Sequence, residues 1–134
     1  MKILYEDKYI AVAIKPAGVL SEGEMPALLC EQLSLKECFV VHRLDREVGG
    51  VMVFAKSSKA AARLSEQMRD GDFEKRYFAT LVGVPKEEKA TLTHYMKKNA
   101  VNNMVYVCPP TVDGAKFAEL ESIYNFDKKS LVLI

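Results

Sequence analysis

Val41-His42-Arg43-Leu44-Asp45-Arg46-Glu47-Val48-Gly49-Gly50-Val51-Met52-Val53 is the most specific stretch of this chain. Asp45 stands among a histidine and two arginines, and a glycine pair leads from the loop into an apolar run. A carboxylate flanked by cations stays ionised and can be aimed at a partner. Paired glycines permit tight or left-handed backbone close to a ligand. The strand that follows anchors the loop on a rigid element. A structural ion network in a turn has the same composition, so the rest of the chain must separate the two readings.

A length of 134 residues supports one domain with a real core. An apolar fraction of 49% and a charged fraction of 28% suit a globular protein, and no apolar stretch reaches membrane-span length. The N-terminus lacks the apolar region of a secretory signal. Cys30, Cys38 and Cys108 are odd in number and show no CxxC spacing, which predicts reduced thiols in a cytoplasmic protein. His42 and His94 have no second ligand at metal-binding spacing, so no metal site is expected. The net charge of +1 is uneven: residues 38–98 hold twelve Lys/Arg against eight Asp/Glu. A basic middle segment is compatible with a nucleic-acid partner.

Alternation predicts a short strand from Ile3, an acidic turn, and a more buried strand ending at Ile14. Lys15-Pro16-Ala17-Gly18 breaks it. Met25 to Ser34 reads as a short helix with Pro26 in its first turn. Phe39-Val40-Val41 is a strand feeding the Asp45 loop, and Val51–Ala55 a strand leaving it. Ser58 to Asp70 is the clearest helix, capped by Ser57 or Ser58 and ended at Gly71. Residues 74–83 read as one long strand, with further strands at 90–97, 103–107, 115–124 and 130–134. The expected class is α+β, a largely antiparallel mixed sheet with one or two flanking helices. The chain stops in the apolar run Leu131-Val132-Leu133-Ile134, which predicts truncation at the C-terminus.

Ile14–Gly18, the His42-Arg43-Leu44-Asp45-Arg46 loop running to Ala55-Lys56, and the Lys75-Arg76-Tyr77 strand are similar in order and spacing to the RluA-type pseudouridine synthases. The resemblance covers nearly the whole chain. It implies the pseudouridine synthase catalytic fold, with 1–134 a single, incomplete domain, and isomerisation of uridine to pseudouridine in ribosomal or transfer RNA. Asp45 then matches the catalytic aspartate that initiates glycosidic bond cleavage. Tyr77 matches the active-site tyrosine that packs on the uracil ring. Arg43 matches the arginine that helps displace the target base, and His42, Arg46 and Lys75 complete an RNA-binding set. The implied partner is RNA, no cofactor is required, and the oligomeric state is open.

A flipped base favours an aromatic platform, and an arginine can fill the vacated stack or hold phosphate. On a strand, Lys75 and Tyr77 share one face while Phe78 points to the other, where it is expected in the core. The chain departs from the family pattern at Val48-Gly49, where relatives carry Thr-Ser before the final glycine; those hydroxyls would brace the loop. An arginine-bearing segment that relatives place after the last strand is also expected to be missing. The alternatives are a non-catalytic RNA-binding or RNA-remodelling protein on the same fold, and a hydrolase using Asp45 as nucleophile. For the hydrolase the sequence supplies neither an adjacent base nor a metal.

Overall fold

A computed structural model describes residues 1–134, which separate into two compact units, Met1–Phe73 and Glu74–Ile134. The first unit contains β1 (Ile3–Glu6), β2 (Ile10–Lys15), α1 (Glu24–Leu33), β3 (Phe39–Val40), β4 (Gly50–Ala55) and α2 (Ser58–Arg69). Its strands pair in the order β1-β2-β4-β3, all antiparallel. β2 and β4 run in unbroken register from Ile10 opposite Ala55 to Lys15 opposite Gly50. Alternation buries Ala11, Ala13 and Lys15 of β2 and leaves Ile10, Val12 and Ile14 half-buried. Small side chains there face large ones, Ala11 opposite Phe54 and Ala13 opposite Met52. α1 closes this core by adding Met25 and Leu29, and α2 packs against β3 and β4.

Local chemistry ends each of these elements. In the β1–β2 turn, Asp7 Oδ1 accepts the N–H groups of Tyr9 and Ile10 at 2.7 and 2.8 Å. β2 stops at Lys15 because Pro16 supplies no ladder donor. α1 ends in a left-handed Ser34, with Leu35 N–H donating to Cys30 C=O at 3.0 Å. α2 starts at Ser57, whose hydroxyl accepts the Ala60 N–H at 3.2 Å. It finishes with Asp72 N–H on Gln67 C=O and Gly71 N–H on Met68 C=O, the paired bonds of a glycine-terminated helix.

The second unit is a sheet of β5 (Tyr77–Ala79), β6 (Lys89–Lys98), β7 (Val105–Cys108), β8 (Lys116–Asn125) and β9 (Ser130–Leu133). The order is β5-β9-β8-β6-β7, again wholly antiparallel. β8 and β9 join through the expected turn, where Asn125 Oδ1 accepts the Lys128 N–H at 2.8 Å. The strand expected over residues 74–83 shrinks to three residues. β5 is an edge strand, and β9 offers it only Leu131 to Leu133 as partners. Phe78 is not in the core but 86% exposed. Its face of the edge strand, shared with Val132, has no helix of this unit to cover it. The antiparallel α+β architecture is as the sequence predicts.

Candidate active site in the Asp45 loop

Residues 41–49 belong to no helix or strand, yet side chains brace them from several directions. His42 Nε2 accepts the Val53 N–H at 3.0 Å, which ties the loop's entry to β4. Its ring lies 5.4 Å from that of Phe73, so His42 is occupied within the protein. Ser21, in the turn before α1, accepts the Leu44 N–H at 3.0 Å and donates to the Leu44 C=O at 2.6 Å. The Val48 N–H donates to the Asp45 C=O at 3.0 Å, closing a tight turn.

The strongest support comes from Lys15. Its side chain is fully buried with no carboxylate beside it. Instead, Nζ donates to the carbonyls of Pro16, Val19 and Arg46 at 3.0, 2.7 and 3.1 Å. An ammonium has three donors and no acceptor, so three carbonyls satisfy it. The Arg46 carbonyl also accepts the Gly18 N–H at 2.7 Å, and Arg46 Nε donates back to the Gly18 C=O at 2.9 Å. The Pro16–Val19 turn and the Asp45 loop are thereby sewn together.

The two glycines act by close approach, not by unusual backbone: neither Gly49 nor Gly50 has positive φ, unlike Gly18 at 89°. A Cβ on Gly49 would meet Ala17 N and Lys15 O at 3.4 Å, and one on Gly50 would sit 3.1 Å from Leu44 Cδ1. The arginines also depart from expectation. Arg43 lies 3.6 Å from Glu22, both exposed, and Arg46 turns to Gly18. Neither pairs with Asp45, whose exposed carboxylate has no hydrogen-bond or ion-pair partner in the chain. The loop thus presents the Asp45 carboxylate free on a braced turn, with the exposed Glu47 two residues beyond it also unpaired.

Tyr77 and Lys75 belong to the second unit. Tyr77, 38% exposed, opens β5 opposite Leu133. Lys75 is exposed just before it, and Arg76 pairs with Glu74. The Arg76 side chain is thus held within its own segment. Neither Lys15 nor Ser21 is marked as a site residue by the sequence alone. Lys15 carries a signal, since β2's alternation places it in phase with Ala11 and Ala13 on the buried face; Ser21 carries none.

Residues 9–134 match the family model described as RNA pseudouridylate synthase. The chain belongs to this family. It is 32% identical over 114 residues to the ribosomal large subunit pseudouridine synthase C of Vibrio vulnificus, covering 80% of this chain and 36% of that protein. It is 37% identical over 84 residues to RNA pseudouridine synthase 1 of Arabidopsis thaliana, covering 60% of this chain and 26% of that one. Among solved structures, human RNA pseudouridylate synthase domain containing 4 superposes with a TM-score of 0.77 at 23% identity, over 98% of this chain and 56% of that chain. Human RNA pseudouridylate synthase domain containing 1 gives 0.79 at 18% identity, over 98% and 57%. These two likenesses speak to fold alone. The chain spans 36% and 26% of the length of these two curated relatives, and 56% and 57% of the two solved chains. None of its helices is long and apolar enough to cross a membrane.

Proposed function

We propose that this chain contributes the reacting carboxylate of an enzyme that isomerises uridine to pseudouridine in ribosomal or transfer RNA. The observation that carries the reading is Asp45 itself: exposed, without a partner in the chain, and displayed on a turn tied down by Lys15, Ser21, His42 and Arg46. A carboxylate that spends no hydrogen bond on its own fold is available to a substrate. In the reaction the bond from the ribose C1′ to uracil N1 breaks and a bond from C1′ to C5 forms. N1 ends with a proton and C5 loses one, so no cofactor is needed to balance it.

Asp45 initiates cleavage at C1′. Tyr77 packs on the freed uracil and assists proton removal at C5. Arg43, whose only ion pair is an exposed one with Glu22, can leave that pair at a cost of about 1 kcal/mol or less. It then occupies the space of the displaced base, whose extrusion costs a few kcal/mol. Lys75 and the free guanidinium nitrogens of Arg46 face RNA phosphate, and His42 serves the RNA by holding the loop in shape. A cytoplasmic setting fits three unpaired cysteines.

The test is release of tritium from RNA labelled at uracil C5, comparing the wild type with Asp45→Asn. Turnover abolished by the substitution supports the reading, and turnover that persists refutes it. RNA binding without turnover in both would favour an RNA-binding protein on this fold.

A further inference from the structure

We propose that Ser21 is the positioning residue that sets the direction of Asp45, an inference that rests on the reading of Asp45 as the reacting carboxylate. Ser21 is 3% exposed. Its one hydroxyl makes both main-chain hydrogen bonds of Leu44, accepting from N–H at 3.0 Å and donating to C=O at 2.6 Å. In a sheet those groups would face a neighbouring strand. Here no strand is present, and a side chain takes its place.

The consequence for Asp45 follows from peptide geometry. The Leu44 carbonyl shares a rigid plane with the Asp45 N–H and Cα. A hydroxyl that fixes the carbonyl therefore fixes where Asp45 begins. The Val48 N–H, bound to the Asp45 carbonyl at 3.0 Å, fixes the other side of the residue.

Ser21 is itself well held. Next to it, the Leu20 N–H donates to Glu24 Oε2 at 2.6 Å and the Leu20 C=O accepts the Met25 N–H at 3.2 Å, both from the first turn of α1. The Leu44 side chain packs on the Met25, Leu29 and Met52 cluster. Support thus runs from α1 through Ser21 and Leu44 to the carboxylate. Alanine at position 21 leaves both Leu44 groups without a partner, and the loop can satisfy them only by moving toward water. A displacement of about 1 Å at a reacting group is enough to cost roughly a hundredfold in rate.

The experiment uses the protein encoded by the whole reading frame that contains this chain, in three variants. Ser21→Ala removes the hydroxyl, Ser21→Thr retains it, and Ser57→Ala removes a comparable hydrogen bond at the start of α2 without touching the loop. Amide hydrogen exchange is expected to quicken at least about tenfold at Leu44 and Val48 in Ser21→Ala, to return toward wild type in Ser21→Thr, and to stay unchanged there in Ser57→Ala. With transcribed ribosomal and transfer RNA tritiated at uracil C5, Ser21→Ala should lower kcat about 30- to 100-fold with KM held within about twofold. Ser57→Ala should leave both near wild type. If Ser21→Ala does not fold, Ser21→Cys, which keeps the shape with only a weak donor, should give the same pattern. Unchanged exchange at Leu44, or wild-type kcat in Ser21→Ala, overturns the proposal. Absence of turnover in the unmutated protein refutes the reading of Asp45 instead, and exchange alone then decides whether Ser21 orders the loop.

Discussion

Replacing Lys15 by methionine keeps the length and most of the volume of the side chain and deletes only its three donors. Of the three carbonyls it serves, that of Arg46 retains the Gly18 N–H, whereas those of Pro16 and Val19 have no other hydrogen bond in the chain. An orphaned buried carbonyl costs about 1–3 kcal/mol. Pro16 is exposed and its carbonyl can turn to water, while Val19 is half-buried, so the lower half of the range applies. Because methionine leaves no unpaired charge behind, the larger penalty of a broken buried ion pair does not arise. The expected loss is about 1–2 kcal/mol, or roughly a 5 °C fall in Tm for a chain of this size. Thermal and urea unfolding followed by far-ultraviolet circular dichroism would measure it, and hydrogen exchange at the Gly18 amide should quicken. Lys15→Arg should not rescue, because a planar five-donor fork does not match three carbonyls converging on one atom. A Lys15→Met protein melting within about 2 °C of wild type would refute the claim that these bonds hold the turn and the loop together.

Other consequences can be checked on the same protein. The N–H groups of Ile10 and Tyr9 hold the Asp7 carboxyl below the usual carboxylate range. A depressed folded pKa contributes stability above the unfolded pKa of about 3.9 and loses it as pH falls through the folded value. The stability gap between wild type and Asp7→Asn should therefore narrow as pH drops from about 5 to about 2.5; a gap independent of pH contradicts this. Burial pushes the Cys38 thiol up to about 11 from an ordinary 9.0, with Cys30 adding to the rise. That is about a hundredfold less thiolate near pH 8, so iodoacetamide should label Cys38 slowly in the folded chain and rapidly in urea. Equal rates in the two states would show that the thiol is not shielded.

Much of the fold was legible because the signals that define it are local. Ser57 and Gly71 bracket α2, expected over 58–70 and observed as Ser58–Arg69. The helix expected over 25–34 is Glu24–Leu33, and the strand expected over 90–97 is Lys89–Lys98. Failures came where the outcome depends on residues far away in sequence. The Glu74–Gly83 run has strand composition throughout, but only Tyr77 to Ala79 find partners, because β9 is four residues long. Phe78 lies on an edge whose cover cannot be read from its neighbours in sequence. At the site, the loop and its carboxylate were legible, and its internal wiring was not. Arg43 and Arg46 flank Asp45 in sequence but turn to Glu22 and Gly18, and the glycine pair makes room instead of bending. Lys15 was hidden by its place at a strand-turn boundary, although the period-two pattern of β2 points it inward.

C5-tritium release from labelled RNA by the protein of the whole reading frame decides whether Asp45 is the reacting carboxylate. Asp45→Asn preserves the size of the side chain, and no hydrogen bond of the loop involves the carboxylate, so the fold should be unchanged. Tritium release is expected from the wild type, and none above background from Asp45→Asn at equal RNA binding. Release by Asp45→Asn at a rate near wild type would contradict this assignment.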